Sequence, residues 1–112
     1  MGRAAGLLER CALLAGVRLG EGAFAPGPAL WLGNREIAHV DADGLLDVRL
    51  TRAVIRRRRR DLATDGRVVL RRHQSDWVAV RVGDPAAVEL AVTLIEEAVV
   101  ANRLVAHDEP NP

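Results

Sequence analysis

The sequence predicts an α+β domain in which helices pack on one face of a mainly antiparallel sheet of about five strands, in the order α-β-β-β-α-β-β-α. Three observations carry this reading. Apolar residues recur at three- and four-residue spacing near both ends of the chain, while short alternating runs fill the middle. Most of these runs are joined by turn signals rather than helices, which favours antiparallel neighbours. At 112 residues the chain holds one core and no second one of useful size.

Leu7, Leu8, Cys11, Leu14 and Ala15 mark an amphipathic first helix that should end at Gly16 or Gly20. Gly20 to Pro28, rich in Gly and Pro, reads as a loop. Ala29 to Leu32 and Arg35 to Asp41 are expected as strands joined through Gly33-Asn34. Asp41-Ala-Asp-Gly44 is a second turn, with Gly44 at positive φ. Leu45 to Leu50 alternates cleanly and forms the third strand. Thr51 is placed to cap a helix running to about Thr64, with Val54, Ile55 and Leu62 turned inward. Val68 to Arg72 and Asp76 to Val82 follow as strands, with Val78, Val80 and Val82 facing the core. Asp84-Pro85 signals the start of a final helix to about Arg103, buried along Val88, Ala91 or Val92, Ile95 and Val99. Residues 1–105 are read as one domain and 106–112 as a flexible acidic tail. Leu90, Leu94 and Val100 have no obvious core position on this spacing, which raises a homodimer interface as an expectation.

With 49% apolar and 28% charged residues the composition is that of a globular chain. No apolar run approaches the ~18 to 20 residues that span a bilayer. Glu9 and Arg10 break the N-terminal stretch, so no signal peptide and no membrane partner are expected. Cys11 is the only cysteine, which excludes an intramolecular disulfide and points to the cytoplasm. All sixteen basic residues are Arg, a bias that suggests a GC-rich bacterial genome. Charge is unevenly spread along the chain. Arg49 to Arg72 holds ten Arg against Asp61 and Asp65, a local +8, while the remainder has six Arg against thirteen acids, or −7.

The segments Gly33-Asn-Arg-Glu-Ile-Ala-His-Val40, Asp43-Gly-Leu-Leu-Asp-Val-Arg-Leu-Thr-Arg52 and Ser75-Asp-Trp-Val78, in that order and spacing, resemble the luciferase-domain proteins of bacteria and fungi, a family of unknown function. The resemblance spans roughly Ala29 to Ala101. It implies a small helix-flanked antiparallel sheet, broadly like the MmcQ/YjbR group. Flavin-dependent luciferase barrels need a chain several times longer. Many family members carry a second His two residues after the one matching His39; this chain has Asp41 there.

Two clusters are candidates for function. Arg56, Arg57, Arg58, Arg59 and Arg60 form a run that, at 100° per residue, circles the whole helix and cannot make one stripe. With Arg52, Arg67, Arg71 and Arg72 near, it could grip anionic groups bidentately; the plain alternative is a solvated helix. Nucleic acid is a weaker expectation than an acidic protein partner, because no aromatic or amide readout groups lie in the segment. The second cluster rests on strand parity, which puts Ile37, His39 and Asp41 on one face with Asp47, Arg49, Trp77, Ala79 and Arg81. His39, Asp47, Arg49, Trp77 and Arg81 would then form a ligand site, usable as a general base or anion site, or a plain polar cross-strand pairing. His73, Ser75 and Asp76 read as a turn rather than a triad. Three scattered His and one Cys give no metal-ligand spacing, and no nucleotide-binding fingerprint is present, so neither metal nor cofactor is expected. The reading that follows is a non-catalytic binding or accessory domain that engages an anionic partner through the Arg-rich helix and an open sheet face. A small-ligand enzyme or sensor and a nucleic-acid binder are the alternatives.

Overall fold

The computed structural model describes residues 3–72 and 75–108. Helix α1 (Arg3–Cys11) leads into strands β1 (Val17–Glu21), β2 (Pro28–Leu32), β3 (Arg35–Val40) and β4 (Leu46–Arg49). Short helices α2 (Arg52–Arg57) and α3 (Arg59–Thr64) precede β5 (Val68–Leu70), β6 (Trp77–Val80) and the long α4 (Pro85–Asp108). The strands form one sheet in the order β1-β2-β3-β4-β6-β5, and every neighbouring pair is antiparallel. The expected α+β architecture is therefore present, with one strand more than anticipated.

That extra strand, β1, lies where a loop was expected to begin. Its alternation is too weak to read: only Val17 is buried, and Leu19 on the same parity is largely exposed. It is an edge strand held by its backbone ladder to β2. Helix α1 stops at Cys11 rather than continuing to Gly16, and Leu14 joins the core from the turn that follows.

The predicted single helix after β4 is two helices. Arg58 adopts φ −105 and ψ 13 between them, and its guanidinium hydrogen-bonds Glu97 on α4. Thr51 does not cap: it takes φ 80 and its side chain makes no cap bond. Asp76 supplies the cap from across the fold, its Oδ1 accepting the Arg52 N–H at 2.9 Å and its carbonyl accepting that of Thr51 at 3.0 Å. Asp84 does cap α4, its Oδ1 accepting the Ala87 N–H at 2.8 Å. Gly33 and Gly44 take positive φ in the two expected turns.

One sheet face carries Leu30, Ala38, Leu46, Val48, Val78 and Val80, all fully buried. Helices α1 and α4 cover it. The small residues Ala87, Ala91 and Ala98 bring α4 close to the strands, and Leu94 and Ile95 fill the core. Leu94 is thus a core residue, Leu90 packs partly buried against it, and only Val100 of the proposed interface trio is exposed, at 59%. Asn102 is fully buried in the C-terminal third of α4. Its amide donates to the Arg49 and Ala98 carbonyls at 2.7 Å each, and its Oδ1 accepts from Arg35 Nε at 3.0 Å. The helix is thereby pinned to the end of β4. Among the described residues no helix is long and apolar enough to cross a membrane.

Candidate functional site

The face opposite the helices is built row by row from the strand register. His39 pairs with Asp47, Asp47 with Ala79, and Arg49 with Trp77. Strand β3 carries a bulge: Leu30 opposes Ala38 but Trp31 opposes Glu36, so Ile37 is an extra residue. This resets the alternation, turns Glu36 to the His39 face and leaves Ile37 in the core. The expected sharing of a face by Ile37 and His39 is overturned by that one residue.

His39 sits between two carboxylates. Its Nε2 is 3.1 Å from Asp47 Oδ2 and its Nδ1 is 2.9 Å from Glu36 Oε2. The Nδ1 contact is an ion pair off hydrogen-bond alignment, and neither atom has another partner among the described residues. Glu36 is almost wholly buried and its other oxygen accepts the Ala23 N–H at 2.5 Å. Asp47 Oδ1 also accepts from Arg71, at 2.7 Å from Nη2 and 3.3 Å from Nε. The same Nη2 reaches Asp41 Oδ2 at 2.6 Å. Burial opposes the imidazolium, but the Asp47 bond and the charges of Asp47 and Glu36 outweigh it, so the His39 pKa is raised. Burial likewise opposes the Asp47 carboxylate, and the bonds from His39 and Arg71 outweigh it, so its pKa is lowered. Acidic side chains therefore lie against both ring nitrogens, Asp47 bonded to Nε2 and Glu36 close to Nδ1.

The expected openness of this face does not hold over the His39 row. The loop 22–27 folds across it: the Gly22 N–H donates to the Gly27 carbonyl at 2.8 Å, and a Cβ at Gly22 would collide with the Ala25 carbonyl oxygen. Phe24 on this loop is 62% exposed, yet its ring centroid lies 5.4 Å from Trp77 and 6.2 Å from His39. His39 and Trp77 are 4.8 Å apart, and the Arg49 guanidinium lies 5.6 Å from the Trp77 ring and 5.9 Å from that of Phe24. His39, Asp47, Arg49 and Trp77 therefore cluster. Arg81 does not join them; its guanidinium donates to the Gly66 carbonyl at 3.1 Å.

Tertiary structure sorts the arginines. Arg49 lies 3.5 Å from Asp76, Arg58 pairs with Glu97, Arg67 with Asp65 at 2.8 Å, and Arg71 with Asp41 and Asp47. Arg52, Arg56, Arg57, Arg59, Arg60 and Arg72 make no side-chain hydrogen bond or ion pair among the described residues. Four of these six line one cleft of about 50 Å³ between α2 and the β5–β6 end of the sheet, together with Ile55, Leu70, Arg71, Ser75 and Trp77. Arg52 and Arg56 are spaced i, i+4 on α2 and so share a face, and Arg59, the first residue of α3, lines the same cleft. Arg57 turns to a different, apolar groove beside α4, and Arg60 lines neither.

Sequence reading missed Phe24, Glu36 and Ser75 as neighbours of these clusters. Glu36 hides behind the bulge, and Phe24 lies in a stretch with no periodicity to read. His73 lies outside the described residues. No group of three His, Cys, Asp or Glu side chains among the described residues is arranged to hold a metal ion; the His39 ring is enclosed by the carboxylates that would be its co-ligands.

The fold and site define a small α+β domain with an aliphatic, helix-covered sheet face and a charged face bearing an ion-paired histidine. A family model described as Luciferase domain matches residues 34–98, more than half of the chain. The chain belongs to that family. The matched span carries Glu36, His39, Asp47, Trp77 and the whole arginine cleft, whereas α1, β1 and Phe24 precede it. No curated protein and no solved structure matches the chain, so likeness to the MmcQ/YjbR group rests on the sequence resemblance alone.

Proposed function

We propose that this protein is a non-catalytic binding domain that engages an anionic partner through the arginine-lined cleft between α2 and the β5–β6 end of the sheet. One observation carries the reading: among the described residues, four guanidiniums without an acidic partner line a single concavity that no carboxylate lines. Like charges held together repel, and most other arginines of this segment have found acids. An incoming anion relieves that repulsion. A role in proton transfer is disfavoured by the burial of His39 and by its placement between Asp47 at Nε2 and Glu36 beside Nδ1. Asp47, itself bonded to His39, and Asp41 instead hold Arg71 at the wall of the cleft.

The test uses fluorescence anisotropy at 150 mM salt with labelled poly-glutamate and labelled inorganic polyphosphate. At least one should bind, and Arg56→Glu with Arg59→Glu should abolish capture. Arg57→Glu with Arg60→Glu, which reverse charges outside the cleft, should weaken it far less. Absence of binding to both probes, or equal loss in both pairs, overturns the proposal.

A further inference from the structure

We infer that the group this cleft takes is a phosphomonoester dianion, carried on a small molecule or present as free orthophosphate. The inference rests on the anion-binding reading above and specifies the ligand. A carboxylate is planar and presents two oxygens whose lone pairs lie in one plane, so its donors must arrive edge-on. Here Arg52, Arg56 and Arg59 approach from the helical side and Arg72 and Ser75 from the strand side, which is far more donor capacity than two oxygens can use. A terminal phosphate offers three acceptor oxygens and a charge near −2, matching donors that surround it from both sides. Ser75 is oriented for the same task. Its Oγ accepts the Trp77 N–H at 3.0 Å, which leaves the hydroxyl proton to donate. A phosphodiester running through a duplex or single strand carries one charge and two free oxygens, and it leaves part of this donor set unused.

Arg71 adds a constraint. It lines the cleft but is committed to Asp41 and Asp47, so its own guanidinium is held in place by acids of the sheet.

Isothermal titration calorimetry at constant ionic strength with methyl phosphate, dimethyl phosphate, acetate and sulfate tests this. Methyl phosphate at pH 7.5 should bind about tenfold or more tightly than acetate or dimethyl phosphate. Between pH 7.5 and 5 its affinity should fall as the monoester, with a second pKa near 6, loses its second charge. Sulfate keeps its charge over this range and should change little, which isolates ligand ionisation from titration of the protein's own groups. Arg56→Gln with Arg59→Gln should lower methyl phosphate affinity by about tenfold, and Arg57→Gln with Arg60→Gln by no more than about twofold. All four residues are solvent-facing, and far-UV circular dichroism verifies that the variants fold. Equal binding of acetate overturns the phosphate assignment while leaving an anion-binding cleft in place. Equal binding of dimethyl phosphate overturns it in favour of a nucleic-acid backbone. Failure of every anion to bind overturns this inference and the proposed function together.

Discussion

Replacing Asp47 by Asn removes one charge from the centre of the buried network with almost no change of shape. The side chains of His39 and Asp47 are only 8% and 11% exposed, so water cannot substitute for the lost carboxylate. In the variant the imidazolium faces Glu36 alone, and Arg71 retains only Asp41. Breaking one partner of a buried pair typically costs about 3 kcal/mol or more. For a chain of this size that corresponds to a fall in Tm of roughly 12 °C or more. The pH dependence separates the two halves of the network. The folded pKa of His39 is raised, so its contribution is fully present below the unfolded value of 6.5 and is lost as pH rises through the folded pKa. Asp47 behaves in the opposite sense. Its folded pKa is lowered, so its contribution is present above 3.8 and is lost as pH falls through the folded pKa. The Asp47→Asn penalty should therefore be largest near pH 6 and shrink, without vanishing, at pH 9, where the Arg71 bond remains. Urea denaturation of wild type, Asp47→Asn, His39→Gln and the double variant at both pH values gives the coupling directly. At pH 6 it should reach about 1 to 3 kcal/mol. A coupling below about 0.5 kcal/mol at pH 6, or a penalty that grows with pH, would refute the picture of a charged histidine clamped between acids.

Two further outcomes follow from buried groups elsewhere. Cys11 is buried against α4 and the sheet, and loss of solvation pushes its thiol up to about 11; at pH 8 it should react with a disulfide reagent only as fast as the domain unfolds, and rapid stoichiometric labelling of the native protein would contradict its placement. Asn102→Ala removes the amide that the Arg49 carbonyl accepts from, at a position where Asn102 itself is fully buried. A loss of about 2 to 3 kcal/mol is expected by chemical denaturation, and a near-neutral result would show that α4 is not pinned to β4 in this way.

Much of the fold was readable because local chemistry determines it. Gly33 and Gly44 take the positive φ that their turns demand, and Asp84 caps α4 with Pro85 in its first turn. Val78 and Val80 face the core as their alternation required. The misreadings share a different cause. Thr51 has the right residue type for a cap, but Asp76, distant along the chain, takes that place. Leu94 fell off the assumed stripe because α4 is covered by the sheet over a broad face, which a single stripe underestimates.

The site divides along the same line. Residue types and strand alternation alone brought His39, Asp47, Arg49 and Trp77 onto one face, since cross-strand neighbours need only the correct register. Glu36 reached His39 through a single bulged residue, a register shift that leaves no mark in composition. The ten arginines between Arg49 and Arg72 were visible as charge. Which of them would meet an acid and which would gather, unpaired, around one cleft depended on where Asp41, Asp47, Asp76 and Glu97 arrive in space. Charge is a property of the chain, whereas its neutralisation is a property of distance, and distance exists only after the sheet and helices have packed.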